Sequence, residues 1–307
     1  MLPRRRLLAA ILALGVTVSA CGTASNTTET TTTSTVSSSV TLPVADAVPS
    51  IDDGAETITL ADGTQRRFLV TPPPDGDDAP ALVMVLHGIG GSAAGVRDYV
   101  DVEAVAADLG VRIVAVYPEG SGDDTGFPQS WNAGGCCPFA NLDDVNDVAF
   151  LAAVIDKVRT DHSTDPNRTW VIGHSNGGMM AYRLACDMPG LVSAIGIGAG
   201  ALVTPCAPTG ADATAVNLVH LHGEQDPVVP FNGGAIAGIN FPSVTATLAS
   251  WATAHDCIAA ADTAVDTDTW TCRNGASARL VSNASWGHEW QPSWTRTMLE
   301  TFLLADS

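Results

Sequence analysis

Five residues, Gly173-His174-Ser175-Asn176-Gly177, constrain this chain more tightly than any other stretch of it. An apolar run, Trp170-Val171-Ile172, leads into them, and the helix-compatible stretch Gly178-Met179-Met180-Ala181-Tyr182-Arg183-Leu184-Ala185 follows. A serine between two glycines where a buried strand turns into a helix is held on a tight, strained backbone that pushes its hydroxyl into a cleft. Side chains two positions before and after that serine would collide, which explains the glycines. Asn176 opens the helix, so its backbone N–H points at the same spot and can receive developing negative charge.

The start of the chain reads as an export leader over residues 1–20. Arg4, Arg5 and Arg6 form a charged region and Leu7 to Val16 a short apolar core. That core falls short of the about 20 apolar residues a transmembrane helix needs. Val18-Ser19-Ala20-Cys21-Gly22 matches a bacterial lipobox, so Cys21 is expected to carry a lipid and become the new N-terminus; the alternative is ordinary cleavage nearby with Cys21 incidental. Residues 21–50 are rich in Thr and Ser, with too little apolar surface to offset their ordering entropy, and read as a disordered tether. Residues 51–307 suit one α/β domain. The expected location is the outer face of the bacterial cell membrane, lipid-anchored, or the medium.

The formal net charge is −19, and loss of the leader's arginines makes it more negative. That excludes nucleic acid as a partner and leaves the lipid anchor as the expected membrane contact. Beyond Cys21 stand Cys136, Cys137, Cys186, Cys206, Cys257 and Cys272, an even number that favours disulfides in an exported chain. Cys257 and Cys272 bracket a polar loop, and Cys186 and Cys206 bracket a helix end and the next strand. Pairing these leaves Cys136 and Cys137 to each other, among fifteen formal possibilities. Across a trans peptide their Cα atoms would lie about 3.8 Å apart, too close for an unstrained bridge. No spacing resembles a zinc site, and His220-Leu221-His222 reads as structural.

Apolar and turn segments alternate as in a mostly parallel sheet. Strands are expected at Thr57 to Leu60 and Arg66 to Thr71 (an entry hairpin), then Ala81 to Leu86, Arg112 to Tyr117, Thr169 to Gly173, Leu191 to Gly198, Val216 to Leu221 and Ala278 to Ser282. Helices are expected at Asp144 to Asp161, capped by Asp143 or Asp144, and at Val244 to Ala254 and Ser293 to Leu304.

A nucleophilic serine needs a base within hydrogen-bond reach and a carboxylate to fix that base in one tautomer. Asp226 follows the strand Val216 to Leu221, with Glu224 a rival, and His288 follows Ala278 to Ser282. His255 and His162 read as surface residues, and His220 and His222 precede the acid. A second oxyanion donor is expected at the backbone of Ile89, within Leu86-His87-Gly88-Ile89-Gly90-Gly91. Trp131 and Trp290 are candidates for the wall of a substrate pocket. Asn132 reads as a polar contact or a turn residue, and Asp147 as an electrostatic or a substrate residue.

The strings Leu86-His87-Gly88, Trp131-Asn132-Ala133-Gly134-Gly135-Cys136-Cys137, Asp144-Val145-Asn146-Asp147-Val148-Ala149-Phe150, Gly173 to Met180, His222 to Pro230 and Gly287-His288-Glu289-Trp290 occur in one order. Together they resemble the polyhydroxybutyrate depolymerase/feruloyl esterase-like family of secreted serine esterases, from roughly Ala55 onward. The resemblance implies an α/β-hydrolase fold, a single domain with a mostly parallel central sheet flanked by helices. It also implies a Ser175-His288-Asp226 triad and ester hydrolysis through an acyl-enzyme, with no cofactor. The family often carries Gly-Gly-Gly-His-x-Trp-Pro around the histidine, where this chain has Ala284-Ser285-Trp286-Gly287-His288-Glu289-Trp290-Gln291-Pro292. No polymer-binding module is seen, so feruloyl, acetyl or short-chain esters are expected ahead of polyhydroxyalkanoate. A non-catalytic binding lipoprotein on the same fold would lack a triad member, and none is missing.

Overall fold

The computed structural model describes residues 54–122, 128–137, 140–207, 216–259 and 267–306. The expected leader, the tether and Cys21 lie outside the described residues.

In chain order the elements are β1 (Glu56–Thr59), β2 (Gln65–Thr71), β3 (Ala81–Leu86), α1 (Ala93–Val100), α2 (Val102–Asp108), β4 (Ile113–Pro118), α3 (Asp147–His162), β5 (Thr169–His174) and α4 (Asn176–Asp187). There follow β6 (Ala194–Gly198), β7 (Asn217–Gly223), β8 (Gly234–Ile236), β9 (Ile239–Phe241), α5 (Val244–His255), β10 (Ile258–Ala259), β11 (Thr267–Thr271), β12 (Ser277–Asn283) and α6 (Trp294–Ala305).

The main sheet has ten strands in the order β1-β2-β4-β3-β5-β6-β7-β12-β11-β10. From β4 to β12 neighbouring strands run parallel. The β1-β2 hairpin and the β11-β10 edge close the two ends antiparallel. Parallel strands covered on both faces read as continuous apolar runs, and every residue of β3, β4 and β6 is buried. Alternate residues of the sheet divide the core. Leu82, Met84, Val171, Ile195 and Leu218 meet Phe150, Met180 and Trp251 from α3, α4 and α5. Val83, Val85, Ile172, Val219 and Leu221 meet Val96, Val102, Met298 and Phe302 from α1, α2 and α6. The sheet is thus sandwiched, and the loops that leave β3, β5, β7 and β12 gather at one rim.

Two local expectations are corrected. Helix α3 starts later than its apolar periodicity suggests, because Asn146, not Asp143 or Asp144, accepts the Ala149 N–H at 3.1 Å and caps it. His255 is no surface residue: it is buried at the end of α5, with its ring stacked 3.9 Å from Trp251. Disulfides join Cys186 to Cys206, Cys257 to Cys272 and Cys136 to Cys137. The peptide between Cys136 and Cys137 is cis, not trans, with Cα atoms 3.1 Å apart.

Candidate active site

Ser175 sits between the last residue of β5 and the first of α4, at φ 54° and ψ −120°. A non-glycine residue in that region stores about 1–3 kcal/mol, tolerated only when its surroundings dictate it. Here they do. The Ser175 N–H donates to Gly198 O at 2.8 Å, and its carbonyl accepts the Met179 N–H at 3.0 Å. The flanking glycines are obligatory on contact grounds: a Cβ on Gly173 would overlap the Gly177 carbonyl, and one on Gly177 would overlap the carbonyls of Leu86 and His87.

Asp226 lies just past β7 with its side chain fully buried. Its Oδ1 accepts the N–H groups of Val228 and Val229, both at 2.8 Å, and its Oδ2 accepts His288 Nδ1–H at 2.7 Å. Burial alone would raise this carboxyl, but hydrogen bonds from His222, His288 and Val229 outweigh it and hold the group well below the usual carboxylate range. An ionised carboxylate accepts only, so the His288 proton resides on Nδ1 and a lone pair faces outward on Nε2. That Nε2 lies 2.9 Å from Ser175 Oγ. The rival acid, Glu224, is exposed and accepts Ser282 O–H at 2.9 Å instead.

The loop that carries His288 is held from two sides. A Cβ on Gly223 would overlap the carbonyls of Trp286 and Gly287, so the end of β7 must be bare for this loop to lie on it. His174 then donates from Nε2 to the His288 carbonyl at 2.8 Å, while its Nδ1 accepts the Tyr99 hydroxyl at 3.2 Å. Burial pushes His174 down to about 4, so it is neutral and fixed in this tautomer at neutral pH. Trp290 is half-buried, edge-on to Trp294 and His174, and fills the space that Gly198 leaves open.

The glycine-rich loop after β3 runs beside the serine; a Cβ on Gly88 would come within 3.3 Å of Ser175 Cβ. His87 is fully buried, and burial pushes it down to about 4. Its Nε2 accepts the Gly120 N–H at 3.0 Å, which leaves Nδ1–H to donate to Gly88 O at 2.7 Å. Gly90 N–H is spent on Gln129 O and Gly91 N–H on Gly88 O. Ile89 stands at the turn and is 43% exposed. Asn176, as the first residue of α4, has a backbone N–H with no intrahelical partner by helix geometry.

Trp131 does not line a pocket. It is completely buried, and it ties together the two segments expected to bind the oxyanion. Its Nε1–H donates to His87 O at 2.9 Å. Its backbone exchanges two bonds with the Asn176 side chain: N–H to Oδ1 at 2.7 Å, and Asn176 Nδ2 to the Trp131 carbonyl at 3.1 Å. Asn132 and Asp147 continue this strap. The Asn132 N–H donates to Asp147 Oδ2 at 2.7 Å, and Asp147 Oδ1 is 2.9 Å from Arg66. Both residues are buried. Burial raises the Asp147 carboxyl, against the pull of Arg66.

Sequence reasoning passed over His174 and Tyr99, and treated His220 and His222 as inert. All but Tyr99 stand inside or beside the quoted motifs; His174 meets Tyr99 and the His288 carbonyl, and His220 meets Tyr182, from elements remote in the chain. A cavity of about 430 Å³ is lined by Cys136, Cys137, Asn141, Val203, Ile239 and Asn240 among others. Its cysteines and Ile239 belong to a small apolar cluster that also holds Met179, one turn past Ser175, and Val229, on the Asp226 loop.

A sequence profile of the Phospholipase/Carboxylesterase family matches residues 145–241, which contain Ser175 and Asp226. NocK of Nocardia uniformis subsp. tsuyamanensis, named as an esterase, is 32% identical over 207 residues, 66% of this chain and 56% of its own length. Feruloyl esterase C of Emericella nidulans is 34% identical over 116 residues, covering 38% of this chain and 40% of its own. The chain therefore spans well under two thirds of both relatives. Among solved structures, the acetyl xylan esterase from Aspergillus awamori superposes with a TM-score of 0.58 at 14% identity, covering 81% of this chain and 98% of that one. The Bacillus cereus carboxylesterase gives 0.52 at 15% identity, covering 78% and 94%. The sandwiched parallel sheet, the serine at the β5-α4 turn and these superpositions give the chain an α/β-hydrolase fold, and proteins named as esterases are among those it is similar to.

Proposed function

We propose that this protein is a serine carboxylic-ester hydrolase in which Ser175 is the nucleophile, His288 the base and Asp226 the residue that orients His288. One observation carries the reading: Ser175 Oγ, His288 and Asp226 form an unbroken hydrogen-bonded line at 2.9 and 2.7 Å. His288 Nε2 takes the hydroxyl proton as Oγ attacks the ester carbonyl carbon. The carbonyl oxygen becomes an oxyanion between the N–H groups of Ile89 and Asn176. As the intermediate collapses, the imidazolium returns the proton to the leaving alcohol, and an acyl group remains on Ser175. Water, deprotonated by the same histidine, then releases the acid.

The substrate class follows the named activities of the relatives: feruloyl, acetyl or other short carboxylic esters. Three disulfides fit an oxidising compartment. In the same reading residues 1–20 direct export, Cys21 carries the lipid and residues 21–50 tether the catalytic domain. A fluorophosphonate probe should label Ser175, and Ser175→Ala should abolish turnover of p-nitrophenyl acetate and methyl ferulate. Undiminished turnover in that variant would defeat the assignment.

A further inference from the structure

Strand β7 carries two histidines that the hydrolysis above does not use. His220 and His222 are two residues apart, so they lie on one face of the sheet, and neither has any exposed surface. The face is the one covered by α4, whose Tyr182 is also fully buried. Tyr182 Oη is 2.8 Å from His220 Nδ1, and His220 Nε2 is 3.0 Å from His222 Nδ1. His222 Nε2 is 2.8 Å from the Val229 carbonyl and 3.4 Å from Asp226 Oδ2.

The proton positions along this line are forced from its far end. The Val229 carbonyl and the Asp226 carboxylate can only accept, so His222 carries its proton on Nε2. With that one proton on the ring Nδ1 is bare, and His220 must then donate to it from Nε2. His220 Nδ1 is bare in turn, and the Tyr182 hydroxyl must donate to it. Burial keeps His220 and Tyr182 uncharged, pushing His220 well below and Tyr182 well above their ordinary values.

We propose that Tyr182, His220 and His222 are positioning residues for the hydrolysis: a one-directional chain of donors that fastens the Asp226–Val229 loop to the helix beginning at Asn176. The inference rests on the hydrolase reading above. The two ends of the chain explain its value. His222 fixes the loop at Val229 O and flanks Oδ2, the same oxygen that receives His288. Tyr182 sits on the helix that starts immediately after the nucleophile. Three hydrogen bonds through the core therefore set the acid relative to the serine. An apolar β7 would leave the Val229 carbonyl buried without a partner.

The test uses the full chain with p-nitrophenyl acetate. His222→Leu removes the donor, and His222→Gln keeps an N–H near the position of Nε2. The leucine variant should lower kcat about 10- to 100-fold, the size of effect seen when partners that orient metal-ligating side chains are removed, with KM changed less than about twofold. The glutamine variant should recover most of the loss. In parallel, a ¹⁵N–¹H spectrum of histidine-labelled wild-type protein should show both His220 and His222 as neutral Nε2–H tautomers. Should the leucine variant not fold, the glutamine variant and the spectrum decide. Wild-type kcat in a folded His222→Leu protein, or an Nδ1–H proton on His222, overturns the proposal. Turnover retained in Ser175→Ala would instead overturn the hydrolase reading and leave the spectrum to judge the chain of donors.

Discussion

At the scale of single residues, the site is a set of tautomers fixed by neighbours that can only give or only accept a proton. Asp226 fixes His288, Gly120 fixes His87 and the His288 carbonyl fixes His174. Each ring is thereby held in one tautomer by the fold itself. The commitment of His288 is the easiest to undo. In Asp226→Asn the amide would offer either an oxygen that no longer carries charge or an NH2 group that donates. The latter drives the His288 proton to Nε2, where it faces Ser175 Oγ and blocks proton uptake. The expected outcome is a kcat lower by about 10⁴ with the fold intact, measured by ester turnover beside a thermal melt that stays within a few degrees of wild type.

Elements supply what no single residue can, which is the approach of loops that are remote in the chain. The Trp131–Asn132 segment shows this most clearly, since it bridges the loop after β3, the start of α4 and the start of α3. Trp131→Phe keeps an aromatic ring but removes the fused pyrrole of the indole, leaving a small void and the His87 carbonyl buried without its donor. Stability should fall by about 1–3 kcal/mol. The kcat should fall roughly tenfold, less than the 10²–10³ for deleting an oxyanion donor outright. A denaturant titration and turnover on the same preparation check both numbers. The same segment marks the limit of what the sequence discloses. Its motif was visible, yet a tryptophan beside a glycine turn reads equally as a pocket wall and as a strut, and only the third dimension separates them. The central strands were legible because burial on both faces leaves continuous apolar runs, and those of β3, β5 and β7 lead into a motif. Strands β8 to β11 were not. They are short or lie at the edge, and β8 and β10 are exposed along their whole length. Helices α1 and α2 were hidden by length and by the break between them, where Asp101 takes a left-handed conformation at φ 48°. Chain order and strand ends were enough to expect Asp226 and His288 beside Ser175, which is where they lie. For His174, the decisive partner is a carbonyl 114 positions away, which no local pattern encodes.

Across the whole molecule, the reliance on buried neutral histidines has a thermodynamic consequence. Burial holds His87, His174 and His255 down to about 4 and His220 well below its ordinary value. In the unfolded chain each titrates near about 6.5. Between those limits the unfolded state binds protons that the folded state refuses, so stability is fully present above about pH 6.5 and drains as pH falls. Each histidine contributes a slope of up to about 1.4 kcal/mol per pH unit. Several acting together are comparable with the whole stability of a domain, about 5–15 kcal/mol. The net charge of −19 works in the opposite direction, because protonating carboxylates relieves self-repulsion. Most carboxylates, however, take up protons near about pH 4, below most of the histidine window. Urea midpoints measured at intervals from about pH 7.5 down to about pH 4.5 should therefore fall continuously, steepest below about pH 6. A midpoint that stays level over that range would mean that these rings gain protons in the folded state, and with it that the tautomers fixed around Ser175 are not held by burial.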